Sequence, residues 1–138
     1  MSRDLLVAWA AGFFDGEGTI QVNFNKAGSC SIQVKAYQRI MEPLERMKEL
    51  YPEGYFDGGS HGGKLFGFII TGHKAGKMLR EMLPYLTVKR HQAELVLEIL
   101  DILPGWSGGR NTPEEKERVR LLAGKVTEAK RPWLREVV

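Results

Sequence analysis

A single cysteine, Cys30, stands in the 138 residues, so no internal disulfide can hold the fold and an oxidising compartment is not required. The three histidines do not fall at zinc-ligand spacing with it either. Long hydrophobic runs are also missing. The one near the start, Leu5 to Phe14, has ten residues, too few for a bilayer span, and is followed at once by Asp15-Gly16-Glu17-Gly18. It lacks the charged leader and small-residue cleavage site of a secretory signal. A soluble intracellular protein is expected, in cytoplasm or nucleoid, or in an organelle of a eukaryotic host. Charge of one sign is scarce as well: 20 Lys and Arg against 17 Asp and Glu leave +3. That permits a polyanionic partner without identifying one. What is present, 43% hydrophobic and 27% charged residues, suffices for one ordinary core. It excludes disorder and a large multidomain enzyme, and predicts a single domain over residues 1–138, with a core over about 2–104 and a C-terminal loop and helix beyond.

The periodicity orders this domain. Ser2 or Asp4 can cap a first helix in which Leu5, Leu6, Trp9 and Phe13 fall at helical spacing, ended by Gly16 and Gly18. Its other stripe, Ala8, Ala11, Gly12 and Asp15, is built of small side chains and would let another backbone come close. Thr19 to Phe24 alternates polar and apolar residues with period two, and Ser31 to Tyr37 repeats the alternation after the turn-like Asn25-Lys26-Ala27-Gly28. Met41, Leu44, Met47, Leu50 and Tyr51 give a second helix, with Pro43 in its first turn. Tyr55-Phe56 and Lys64 to Thr71 predict another hairpin around the glycine-rich stretch Asp57 to Gly63. Two helical patterns follow, over Ala75 to Leu83 and Ala93 to Leu103. Thr112-Pro113-Glu114-Glu115 then opens a last helix, with Thr as cap, Pro in the first position and acids in the first turn. The order is αββαββ followed by three helices: an α+β fold in which helices cover one face of an antiparallel sheet.

Asp15 and Glu17, set between glycines at a helix end, are oxygen ligands of the kind that suits magnesium. For an isolated Asp-Gly-Glu-Gly, polar turn residues are the commoner reading. The longer string decides differently. Ala10-Ala11-Gly12-Phe13-Phe14-Asp15-Gly16-Glu17-Gly18, followed by a strand opening Thr19-Ile20, resembles the signature helix of the LAGLIDADG homing endonucleases. The departures are Ala10 for the leading Leu, the Phe pair for other apolar residues, and Glu for Asp at position 17. Leu83 to Ala93 looks like the family's proline-plus-apolar segment that leads to its lysine, here Lys89. The αββαββα order is the family's core, so the resemblance spans about residues 5–103; the string occurs once.

The resemblance implies a twisted DNA-binding sheet and an active site shared by two packed signature helices. It gives Glu17 and the Gly16 carbonyl as metal ligands, Mg2+ as the cofactor with Mn2+ as a substitute, and Lys89 and Gln38 as catalytic companions. Asp15 becomes a cap for the partner helix. With one motif copy the chain is expected to pair with itself as a C2 homodimer through Ala8, Ala11, Gly12 and Asp15. The implied activity is hydrolysis of both strands of a long pseudo-palindromic duplex, leaving short 3′ overhangs. Base readers are expected on the outer sheet face: Gln21, Asn23, Gln33 and Lys35 first, then Asn25, Lys26, Ser31 and Tyr37. The fourth strand is expected to turn Lys64, Gly67 and Ile69 toward DNA. Residues 74–92, with five basic residues against Glu81, predict phosphate contacts, Lys74 and Arg90 among them. A rival reading is a catalytically silent LAGLIDADG module, an RNA maturase or a DNA-binding regulator; intact Glu17 and Lys89 favour the nuclease acting on DNA.

Overall fold

The computed structural model describes residues 2–24, 29–59, 63–103 and 111–131. Helix α1 (Arg3–Glu17) starts at Ser2, whose hydroxyl accepts a hydrogen bond from the Leu5 amide. It runs without a loop into β1 (Gly18–Phe24), which pairs antiparallel with β2 (Cys30–Gln38). Helix α2 (Glu42–Leu50) crosses to the second hairpin, β3 (Tyr55–Gly59) and β4 (Leu65–Thr71). Gly72, at φ +61°, turns β4 into α3 (Gly72–Met82). A single 3₁₀ turn over Leu83–Tyr85 precedes α4 (Arg90–Ile102). The last helix, α5 (Pro113–Ala129), carries a full capping box between Thr112 and Glu115, as its opening residues predict.

The four strands lie in the order β1-β2-β4-β3, so the hairpins join through an antiparallel β2–β4 pair. Period-two burial follows: Ile20, Ile32, Val34, Ala36, Phe68 and Ile70 are buried on one face. Helices α1, α2 and α3 pack on that face through Val7, Phe14, Leu44, Met47, Met78 and Leu79, and α5 packs on α4 through Val119, Leu122 and Val126. The predicted architecture, helices on one side of an antiparallel sheet with an extra terminal helix, is the one observed. Among the described residues no helix is long and apolar enough to cross a membrane.

Two expectations are corrected. The buried stripe of α1 is Val7, Ala10, Ala11 and Phe14, while Leu5 is 61% exposed and Leu6, Trp9 and Phe13 are half-buried. From Leu5 to Phe14 the helix is apolar almost all round, so periodicity admits two stripes, and packing on the sheet selects the one ending in Phe14. Ala11, proposed for the dimer contact, is fully buried in its own chain. The outward small stripe is instead Ala8, Gly12 and Gly16; a Cβ at either glycine would meet nothing within 4 Å. Second, Asp57, Gly58 and Gly59 belong to β3 rather than a turn, because their pairing with β4 continues to Gly58↔Phe66.

Candidate active site and nucleic-acid interface

The end of α1 is built without slack. Phe14 lies fully buried beneath the helix–strand junction, and a Cβ on Gly18 would sit 2.6 Å from the Phe14 carbonyl oxygen and deep in its ring. Only glycine fits there, for steric reasons. The Gly18 amide closes the helix on the Phe14 carbonyl, and β1 begins at that residue. Glu17 is therefore the last helical residue, exposed, with no side-chain hydrogen bond among the described residues. The Gly16 carbonyl lies in the same final turn, where helix carbonyls have no partner within the helix.

Asp15 is engaged differently. Its carboxylate accepts hydrogen bonds from the backbone amides of Thr87 at 2.7 Å and Lys89 at 3.0 Å, and its carbonyl accepts one from Lys89 Nζ at 2.6 Å. It caps the segment leading into α4 of its own chain, and the expectation that it caps a partner helix is corrected accordingly. Its bonds deliver Lys89 to the site. The half-buried ammonium lies 5.9 Å from the centre of the Phe14 ring. Burial lowers its pKa, while Asp15 and then Glu17 oppose that shift by stabilising the charge. Gln38 ends β2 two residues beyond Ala36, the partner of Gly18, so it reaches the same end of the sheet as Glu17. Its side-chain oxygen accepts from the Arg39 amide at 2.9 Å, which leaves the NH2 end for other partners.

One chain offers Glu17, the Gly16 carbonyl and Lys89 at this corner. Among the described residues no three His, Cys, Asp or Glu side chains come together to hold an ion unaided. Magnesium is commonly held by one or two carboxylates together with substrate phosphates, so a lone exposed carboxylate beside a helix-end carbonyl fits as one half of such a site.

The outer sheet face carries the odd-numbered strand residues. One row crosses all four strands as Thr19, Lys35, Ile69 and Tyr55; beside it run Gln21, Gln33 and Thr71, then Asn23 and Ser31. Gln21, Asn23, Ser31, Gln33, Lys35 and Tyr37 thus share one face, with Gly67 and Ile69. Lys64, expected in the strand, lies in the turn before β4 and is exposed. Asn25 and Lys26 lie outside the described residues. Lys74 and Arg90 are exposed near the starts of α3 and α4. Elsewhere in the basic stretch, Arg80 pairs with Asp101 at 3.1 Å, which offsets part of its charge.

Among the outward residues that escaped the sequence reading as interface candidates are Tyr55, Asp57 and Thr71. Asp57 is held by Tyr37, whose hydroxyl donates to its carboxylate at 3.0 Å. Alternation within a correctly bounded β3 would have found Tyr55 and Asp57, but the glycines after Asp57 read as a turn.

No family model matches the chain, and no curated protein matches it. Solved structures do. The homing endonuclease I-CvuI, in complex with its target in the presence of 2 mM Ca, is 27% identical with a TM-score of 0.78, covering 91% of this chain and 82% of that one. The archaeal intron-encoded homing endonuclease I-Vdi141I, complexed with DNA, superposes with a TM-score of 0.76 at 19% identity over 93% of this chain and 86% of that one. The meganuclease I-SmaMI bound to uncleaveable DNA has a TM-score of 0.72 at 19% identity; the match covers 86% of this chain but 43% of the other. The fold is the homing-endonuclease fold.

Proposed function

Taking the chain as a single-motif LAGLIDADG protein, we propose that it is one endonuclease domain of a site-specific homing-type DNA endonuclease. Two copies form a C2 homodimer that cuts both strands of a long pseudo-palindromic duplex. The observation that carries this reading is the corner where α1 meets β1: an exposed Glu17, whose carboxylate has no hydrogen bond among the described residues, beside a lysine that its own chain positions through Asp15. Homodimerisation has its own support. I-CvuI and I-Vdi141I match over more than four-fifths of their length, whereas the I-SmaMI chain is about twice as long as this one. The outward stripe Ala8, Gly12 and Gly16, flanked by exposed Leu5, lets two α1 helices approach closely and brings two Glu17 carboxylates together.

Divalent cations, Mg2+ in this proposal with Mn2+ as a substitute, supply charge neutralisation at the phosphate and an acidified water when bound. Glu17 and the Gly16 carbonyl hold them. The Lys89 ammonium, partly stripped of water, can donate to a phosphate oxygen and stabilise charge that develops there. Its lowered pKa also eases release of a proton to the leaving side. The NH2 end of Gln38 holds a water near the same corner. Gln21, Asn23, Gln33 and Lys35 read base edges in the major groove, with Ser31 beside them, Tyr37 gives its hydroxyl to Asp57 instead of a base, and Lys74 and Arg90 meet phosphates.

Selection from a randomised duplex library, run with magnesium and separately with calcium, tests the proposal. A defined two-fold site cut in magnesium and bound uncut in calcium is expected. Binding without cutting in magnesium or manganese would instead make the chain a silent binding module, and loss of all duplex selectivity would overturn both readings.

A further inference from the structure

The outward rows of the sheet carry two charged residues among the described strands, Lys35 and Asp57. A lysine on a surface that meets a polyanion needs no explanation. A carboxylate does, since it repels every phosphate it approaches.

Asp57 is held in place by a three-strand arrangement. Tyr37 on β2, Gly67 on β4 and Asp57 on β3 are register partners in one row. Tyr37 and Asp57 are thus two strand spacings apart, about 9–10 Å, too far for a carboxylate and a hydroxyl to meet unless the phenol ring lies down across the strand between them. Gly67 provides the space. A Cβ there would stand 2.6 Å from Tyr37 Cε1 and 3.0 Å from Cδ1 and Cζ. The ring therefore lies over bare backbone, and its hydroxyl donates to Asp57 Oδ2 at 3.0 Å. Asp57 remains half-exposed on the outer face.

An oriented acceptor on a face that reads a major groove suits one kind of partner, a base-edge donor. Cytosine presents N4–H2 there, and Asp is a matched acceptor for it, whereas guanine and thymine would set O6 or O4 against the charge. We propose that Asp57 is a specificity-determining residue that selects cytosine at one symmetric pair of positions in the target, and that Tyr37 and Gly67 are positioning residues for it. The proposal rests on the nuclease reading above and adds to it a base preference from a residue outside the signature.

The test is the same library selection, scored for cutting in magnesium and for binding in calcium, with wild type, D57N, D57A, Y37F and G67A. For the wild type, cytosine is expected at one symmetric pair of positions. D57N should shift that pair toward adenine, which Asn matches through N6 and N7. D57A should flatten it, with discrimination falling about tenfold or more. Y37F and G67A should weaken the same pair and no other, since each removes only the support. Thermal melts of every variant separate loss of fold from loss of reading. A D57N profile identical to wild type at every position, or an equal change at all positions as for simple charge removal, would overturn this inference while leaving the nuclease standing. A wild type that selects no duplex in either metal would overturn the nuclease reading and this inference together.

Discussion

The two ends of α1 use their polar groups in opposite ways. At the N-terminal end Ser2 and Arg3 are both engaged. The Arg3 guanidinium forks onto Glu81 of α3 at 2.8 and 2.9 Å and reaches the Leu50 carbonyl at the end of α2. Tyr51 donates to the same Glu81 at 2.9 Å and lies under the Arg3 guanidinium, so three elements close on one carboxylate. At the C-terminal end Asp15 is held by two backbone amides, but Glu17, two residues on, is left exposed. One end anchors and the other displays. A displayed carboxylate is useful only if its support is stiff, and the latch of Arg3, Glu81 and Tyr51, the buried Phe14 and the Asp15 cap supply that stiffness from three directions.

Glu17→Gln should sharpen the contrast most. Cleavage of the selected site is expected to fall about a thousandfold, some 4 kcal/mol on the barrier, with calcium-supported binding and the melting temperature unchanged. A lower melting temperature would show that Glu17 serves the fold after all. Gly12→Leu comes next. Because a Cβ at Gly12 meets nothing in its own chain, the monomer should fold undisturbed and gain helix propensity of up to about 1 kcal/mol. Dimerisation measured by sedimentation should weaken at least a hundredfold through steric overlap, and unchanged association would move the interface elsewhere. Asp15→Ala should cost about 1–3 kcal/mol in denaturant unfolding, as expected for loss of a cap that holds two amides. A stable variant that had lost only dimerisation would return Asp15 to the partner helix.

Arg3→Ala should be the smallest effect, a just measurable fall in the unfolding midpoint, because the ion pair is largely exposed. Its pH dependence has a definite sign. The hydrogen bond from Arg3, above all, with Tyr51 assisting, holds the Glu81 carboxyl below its ordinary range. The latch therefore contributes at neutral pH and its contribution is lost as pH falls through that lowered value. The gap between wild type and variant should close in acid; a gap that stays constant would mean that Arg3 acts by packing on Tyr51 alone.

The order of elements was legible because periods of two and of 3.6 alternate cleanly along the chain, and α5 announced its start in Thr112-Pro113-Glu114-Glu115. The rotation of α1 was not legible, since a helix with apolar residues on most of its circumference does not say which of them it buries. Nor was the role of Asp15, whose partners Thr87 and Lys89 lie 72 and 74 positions away. Glu17 and Lys89 stood out through resemblance to a motif; composition and spacing alone would have left them as a turn acid and a surface lysine. The pairing of Tyr37 with Asp57 depends on strand register, which alternation within single strands does not set.

The junction of α1 with β1 has a mechanical meaning. Helix ends at Glu17 and strand begins at Gly18, with no intervening residue to absorb a rotation. The strand that would lie along the bases and the carboxylate that would face the scissile phosphate therefore move as one rigid lever. In the proposed homodimer, a duplex that bends or unwinds to fit the sheet would change the separation of the two Glu17 carboxylates in the same motion, so a poorly fitting sequence would be rejected at the chemical step as well as at binding.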